Sequence, residues 1–421
     1  MGELELAPSD RWLSRVLIHS PRGMFRWTAY VLAVTAFAAA IPTPLYPVYQ
    51  ARFGFSEGVL GLLFAAYTPG VFLTLFFVAP HAERIGRRKL LALGMALTAV
   101  AAGMFAVAGD VLVLALSRLV AGLAVGATTS VATAAMNSLE PYHDAHHVAR
   151  VAVASNFGGF ALGVFFSGLL VTFLPHETSV VYLLPLFASL LGVAAVYATP
   201  ETASGFGAGT FGRVQRISVP AALRRPFWVA AGGIAACYSI YGLFAALVPS
   251  YVRSGLGFST PWVAGAIVAV MFGSAAVIQL ATSQIRDRRA LLLGFPLLVA
   301  TSLALVAILS IASVAWLILV AGALGVAVGL TFMGSVTLVD RVAPDSDRGE
   351  ILAGFYCAGY LALAVPTVGI AELSERIGLS EAGILLGLVL ALGAVGLWAM
   401  TSRTPTPPGG GGRPRETVPS P

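Results

Sequence analysis

Glu83-Arg84-Ile85-Gly86-Arg87-Arg88-Lys89 places four cations and one anion in seven residues, with long apolar runs on both sides. One arginine at the centre of a bilayer costs about 2.5–3.5 kcal/mol even on the mildest scale. A knot of four therefore belongs in water at a membrane face, between two spanning helices. Composition agrees: 58% of the 421 residues are hydrophobic and 10% charged, where a soluble domain carries roughly 25% charged residues. The apolar runs are helix-length, about 20 residues, and not the ten or so of a barrel strand.

Working outward from that knot, apolar segments fall at 25–48, 57–80, 89–109, 111–137, 149–174 and 178–198, then at 226–250, 259–283, 290–311, 314–339, 350–373 and 380–401. This predicts an all-α integral membrane protein with twelve transmembrane helices in two six-helix bundles, 25–198 and 226–401. Residues 1–24 read as a cytoplasmic N-terminal segment. Residues 199–225 read as a cytoplasmic central linker, with a short surface helix near 211–224. The Pro/Gly-rich tail, 402–421, cannot bury a core and reads as disordered. Glu3, Glu5 and Asp10 mixed with Arg11, Arg15 and Arg22, and no small-residue cleavage site, argue against a signal peptide.

Lys89 is the only lysine, so the net charge of +6 is an arginine charge. The basic loops alternate with loops holding only Arg52, Arg253 and Arg376 as cations. That is the positive-inside pattern of a bacterial inner membrane with both termini cytoplasmic, rather than a nucleic-acid surface. Cys237 and Cys357 both lie in apolar runs and read as buried thiols.

The two sets of six repeat. Gly54-Phe55-Ser56 returns as Gly257-Phe258-Ser259, and Gly122-Leu123-Ala124-Val125-Gly126-Ala127-Thr128 as Gly325-Val326-Ala327-Val328-Gly329-Leu330-Thr331, both at an offset of 203. The basic loop ending at Arg88 has a weaker copy ending at Arg289. A duplicated bundle suits two halves that rock about a site near the midplane.

With these residues the chain resembles the major facilitator superfamily, in its twelve-span drug/proton antiporter branch. The family signature after span 2 is matched at Glu83, Arg84, Gly86, Arg87 and Arg88, with Ala79 and His81 in place of its first glycine and leucine. The span 4 pattern is matched by Arg118, Gly122 and Gly126. The span 5 glycine series is matched by Gly159, Gly163 and Gly168, with Val164 where exporters carry proline. The resemblance implies a monomeric secondary transporter exporting a small hydrophobic or amphipathic compound in exchange for protons, without cofactor. It also implies that the basic loop latches the cytoplasmic side in one state of the cycle. Import or facilitated passage of a small organic solute is the alternative.

Arg118 is the cation deepest in an apolar run, and such a group must face water or a partner. Arg118, Gly122, Val125, Thr129, Thr133 and Asn137 share one helix face, read here as facing the central cavity; a structural arginine held by carbonyls is the plainer reading. Further cavity candidates are polar groups in apolar runs: Thr43, Tyr46, Tyr67, Asn156, Tyr238, Tyr241, Gln279, Thr331, Tyr356 and Tyr360. Tyrosines near span ends also serve as interfacial anchors. Pro42, Pro44 and Pro47 mark either a bendable outer gate or an early helix end.

Span middles hold no Asp or Glu; Asp110, Asp340 and Glu372 lie near span ends. Proton coupling is therefore what the resemblance implies, not what the residues display. No Gly-x-x-x-x-Gly-Lys-Ser/Thr loop is present to bind ATP. His143-Asp144-Ala145-His146-His147 matches one box of membrane di-iron oxidases, but the chain has six histidines in all, where such sites need several boxes. It reads as a solvated loop, and a non-transporting sensor of the same fold is a third class.

Overall fold

The computed structural model describes residues 20–78, 81–140, 145–174, 178–199, 201, 219–258, 260–282, 285, 287–311, 313–344 and 348–403. Among them are twelve helices long and apolar enough to cross a membrane: α1 (Pro21–Phe53), α2 (Glu57–Phe77), α3 (Arg87–Ala106), α4 (Val111–Leu139), α5 (His147–Phe173), α6 (Thr178–Ala198), α7 (Arg224–Ser254), α8 (Pro261–Ala281), α9 (Asp287–Ile308), α10 (Val314–Val342), α11 (Glu350–Ile377) and α12 (Leu379–Ser402). The expected surface helix near 211–224 lies mostly outside the described residues; its end is a 3₁₀ turn, Ala221–Leu223. Helix starts follow their local chemistry. Ser20 accepts from Gly23 N–H ahead of Pro21, Asp110 accepts from Val113 N–H, and Pro261 opens α8. Large side chains such as Phe173 and Leu392, each 73% exposed, point away from the bundle. An apolar belt of that size is stable against lipid and not against water.

The main helix pairs of the first half have counterparts in the second. α1 packs on α5 as α7 does on α11; α2 on α4 as α8 on α10; α3 on α4 and α6 as α9 on α10 and α12. The repeated glycines set these contacts. A side chain at Gly122 would overlap the Tyr67 carbonyl of α2, and one at Gly325 the Met271 carbonyl of α8. Gly126 meets Val71 O and Gly329 meets Ala275 O in the same way.

Contacts between halves run along α5–α8 and α2–α11, and α7 meets the far end of α1. They are concentrated at the face away from the termini. There a single apolar cluster takes members from both halves, including Leu45, Tyr49, Leu60 and Leu63 with Leu243, Leu247, Ile267 and Ile370. Toward the termini the buried clusters separate. Val31, Leu90, Met95, Val131 and Val196 form one within the first half; Phe227, Ile234, Val339, Ile351 and Phe355 form another within the second.

Candidate functional site

The break in α1 prepares the deepest polar site. Pro42, Pro44 and Pro47 have no N–H to give the preceding turn, so the α-helix stops at Ala40, passes through a 3₁₀ turn at Thr43–Leu45 and resumes at Tyr46. Side chains from other helices serve carbonyls at the break. Ser167 of α5 donates to Ile41 O at 2.6 Å, and Arg118 of α4 donates through Nη1 to Ala39 O at 3.1 Å. The prolines therefore do not end the span; they redirect it.

Arg118 is 4% exposed. Its Nε donates to the Tyr46 hydroxyl, and its guanidinium lies 5.2, 4.9 and 6.0 Å from the ring centres of Tyr46, Phe64 and Phe105. Nη2 is buried with no hydrogen-bond partner among the described residues. Among the described residues no carboxylate shares this cage, and the charge is held by ring faces and two oxygens. Arg118 thus points into the first half, against α1 and α2, and not into the space between halves. The rest of its stripe opens progressively: Gly122 and Val125 are buried, Thr129 and Thr133 are half-buried, Asn137 is exposed. Thr129, Thr133 and Asn137 bond to carbonyls four residues back on their own helix.

At mid-depth the fused core ends in a run of rings. Phe157 of α5 meets Tyr241 of α7 and Phe332 of α10 at 5.8 and 5.3 Å. Phe160 stacks on Phe272 of α8 at 5.3 Å, and Tyr241 meets Phe272 at 5.1 Å. Tyr238 joins Tyr241 at 5.5 Å and Tyr360 of α11 at 5.1 Å. Tyr360 continues to Tyr67 and Phe72 of α2 at 6.2 and 6.5 Å. This aromatic belt joins the halves twice, through α5 and through α2. It collects Tyr238, Tyr241, Tyr360 and Tyr67 from the sequence candidates and adds phenylalanines that an apolar run gave no reason to single out. Tyr356 packs on Phe355 at 5.2 Å, half-buried on the termini side of the belt. Asn156 is half-buried beside Phe157. The Tyr241 hydroxyl and the Gln279 carboxamide oxygen are buried without a partner among the described residues. Thr331 does not face the cavity: it is fully buried against Gly294 of α9, as Thr128 is against Gly94 of α3.

The basic loop forms a single helical turn, Ala82–Ile85, followed by Gly86 at φ 98°, a backbone region that favours glycine. Arg87 donates to Ala134 O at 3.3 Å and to the Ser138 hydroxyl at the end of α4. Arg88 donates to Thr199 O at 3.2 Å. Glu201, which sequence reasoning left in the linker, accepts from the Arg88 N–H at 3.2 Å. It lies against Gly86, where any side chain would strike its carboxylate. A carboxylate at the amino end of α3 is stabilised by the helix dipole. Arg84 is half-buried; the Glu83 side chain lies outside the described residues. In the second half Arg288 donates to Ser402 O at 3.3 Å, and Asp287 pairs with Arg341 at 2.7 Å. The basic loop copy is thus structural as well as sequential.

The remaining glycines bring α5 close to two partners. Gly159 and Gly163 lie on Ala33 O and Phe37 O of α1, and Gly168 on Pro261 and Gly265 of α8. Among the described residues no group of three or more His, Cys, Asp or Glu could hold a metal. Side chains 143, 144 and 146 of the histidine box lie outside them, and His147 stacks on Phe25 at 5.4 Å.

The comparisons fit this geometry. The quinolone resistance protein NorA of Staphylococcus aureus, in strains Mu50, N315 and MW2, is 29% identical over 161 residues. The match covers 36% of this chain and spans 38% of the relative's length. Residues 28–367 match the family model of the Major Facilitator Superfamily, whose members are membrane transporters and not enzymes. The twelve helices agree with that match, and the chain belongs to the Major Facilitator Superfamily.

Proposed function

We propose that the chain is a secondary active transporter working by alternating access, with residues 25–198 and 226–401 rocking as two bodies about the aromatic belt. The division of the core carries this reading: one apolar cluster spans both halves at the far face, and each half keeps its own cluster toward the termini. A path open on one side and blocked on the other is one half-cycle of such a device. With both termini in the cytoplasm of a bacterial cell, as the arginine distribution supports, this is the inward-facing state.

The cargo is a small hydrophobic or amphipathic compound, a drug or secondary metabolite, carried outward in exchange for protons. Ring faces of Phe157, Phe332, Tyr238, Tyr241, Tyr356 and Tyr360 suit it, with Asn156, Thr129, Thr133 and Gln279 as sparse polar groups. The quinolone resistance for which the NorA relatives are named supports export of such a compound. Arg118 and Tyr46 form the coupling device, and the basic loop from Glu83 to Arg88 the inner gate. Accumulation of fluorescent aromatic compounds in cells with and without the protein tests the reading. Lower accumulation that is lost on collapsing the proton gradient is expected; equal accumulation in both cells overturns it. The absence of Asp and Glu from the span middles favours, as second reading, an importer or facilitator of a small organic solute. That reading expects higher accumulation, indifferent to the gradient.

A further inference from the structure

At the far face the two halves are joined by side chains that cap the helices of the opposite half. At the α5–α8 seam, the Thr172 hydroxyl oxygen near the end of α5 accepts from the Trp262 N–H in the first turn of α8, at 3.1 Å. At the α2–α11 seam, Glu375 near the end of α11 accepts through Oε1 from the Gly58 N–H in the first turn of α2, at 2.5 Å, and also accepts from the Ser56 hydroxyl. Thr172 and Glu375 are 203 residues apart, the offset of the internal repeat. They are therefore the same device in two copies, one neutral and one titratable.

Gly58 and Gly61 give α11 the room to approach. A methyl at Gly58 would stand 3.0 Å from Glu375 Oε1 and 3.1 Å from Glu372 Oε2, and one at Gly61 would stand 2.8 Å from the Ala371 side chain. The charges around the Glu375 carboxylate are few. Glu372 on the same helix is bound to Arg376 at 2.8 Å; Glu57 adjoins Gly58 on α2; Glu381 at the start of α12 lies against Gly378. Arg52 is engaged on the Phe53 ring and Arg253 on the Pro47 carbonyl. Arg376 also attracts the Glu375 carboxylate, more weakly than its hydrogen bonds to Ser56 and Gly58 do, and two acids, Glu57 and Glu372, share the seam with it.

We infer that Glu375 is a proton-releasable latch: ionised, it caps α2 and holds the far face shut; protonated, it lets the halves part there. A carboxylate at a helix amino end gains both charge-assisted hydrogen bonds and the favourable dipole, and a neutral acid loses most of both. The latch rests on the alternating-access reading above. In the orientation proposed there it faces outside, so a proton arriving from the more acidic side favours the outward-open state that an exchanger must next adopt. Glu375 is a positioning residue for the cycle and touches no cargo.

The test measures conformation without substrate, so it stands apart from any failure to find one. Spin labels on Leu62→Cys and Ile377→Cys, both exposed, in a Cys237→Ala/Cys357→Ala background, report the α2–α11 separation in lipid nanodiscs. Between pH 8 and pH 3 the closed-to-open ratio is expected to fall about two- to fivefold, the size of one water-exposed carboxylate cap on a helix end, with most of the fall below pH 5, where an exposed carboxylate takes up its proton. Glu375→Gln should show the low ratio at pH 8 with no further step. Thr172→Val should lower the ratio at both pH values and keep the step, and Glu372→Gln should keep it too. Should Glu375→Gln fold poorly, Gly58→Ala, whose methyl displaces the carboxylate, should also abolish the step. A step that persists in Glu375→Gln, is missing from the parent protein, or disappears in Glu372→Gln overturns the latch.

Discussion

Tyr46→Phe removes one oxygen from the Arg118 cage and nothing else. The ring stays, and with it the guanidinium contact at 5.2 Å. What is lost is the acceptor for Arg118 Nε, in a group whose Nη2 already has no partner among the described residues and which is 4% exposed. A hydrogen bond to a charged group contributes about 1.5–3 kcal/mol, and water cannot replace it at this depth. Tyr46→Phe should therefore destabilise the protein by about 2 kcal/mol. Arg118→Met leaves the Tyr46 hydroxyl and a share of the Ala39 carbonyl unbonded, but it also removes a buried charge costing about 2.5–3.5 kcal/mol. Its net effect is expected to be smaller, about 1 kcal/mol of destabilisation. In that background Tyr46→Phe should reverse sign and stabilise by about 1 kcal/mol, because it now deletes an orphaned hydroxyl. The cycle predicts a coupling of about 3 kcal/mol, at the upper end for touching residues. Thermal unfolding of the four purified proteins in one detergent measures it. Additivity within about 0.5 kcal/mol would refute the cage. Transport follows the charge: Arg118→Met and Arg118→Ala are expected to insert normally and not transport, while Tyr46→Phe keeps partial activity.

Gly122→Ala should lower the unfolding temperature, because its methyl meets the Tyr67 carbonyl, whereas Gly396→Ala, with nothing within 4 Å, should raise it by the helix preference for alanine, about 1 kcal/mol; equal shifts in the two would rule out the packing argument. Glu201→Gln weakens the cap on α3 by about 1 kcal/mol and should reduce transport without loss of expression, as read from fluorescent-compound efflux in cells. Phe157→Ala takes from the belt the ring that meets Tyr241, Phe272 and Phe332; it should weaken binding of an aromatic cargo at least tenfold in a fluorescence titration while leaving a non-aromatic probe unaffected.

The spans were legible because a bilayer demands about 20 apolar residues and tolerates few charges; α4, expected at 111–137, runs Val111–Leu139. The repeat paired Gly122 with Gly325, but that each lies on a carbonyl of the neighbouring helix is seen only in the structure. The partners of Arg118 were not: they depend on where a proline-broken helix leaves its carbonyls, and only Pro42 and Pro44 hinted at that. The belt escaped because Phe157, Phe272 and Phe332 are indistinguishable in sequence from rings facing lipid. Glu201 escaped because its role depends on the chain after α6 returning to the start of α3. Thr331 was assigned to the cavity for its polarity, yet a hydroxyl in an apolar helix also serves to fit against a glycine, and its counterpart Thr128 does the same.

The repeat also separates what the duplicated fold requires from what has been added to it. Packing is kept: glycines 122 and 325, 126 and 329, and 94 and 294 do the same job in both halves. Charge is not. Arg118 corresponds at the 203-residue offset to Ala321, fully buried in the fused core, and among the described residues the second half places no arginine, lysine, histidine or carboxylate at that depth. At the termini face, the joint that Arg87 makes to Ser138 is made in the second half by Asp287 to Arg341, with donor and acceptor exchanged. At the far face, Thr172 is answered by Glu375. A scaffold that only had to hold itself together would have no reason to differ at the places where polar groups are most costly. We therefore propose that the chemistry lies where the halves differ: a cation confined in the first half, an aromatic wall supplied mainly by the second, and one titratable joint where the two meet.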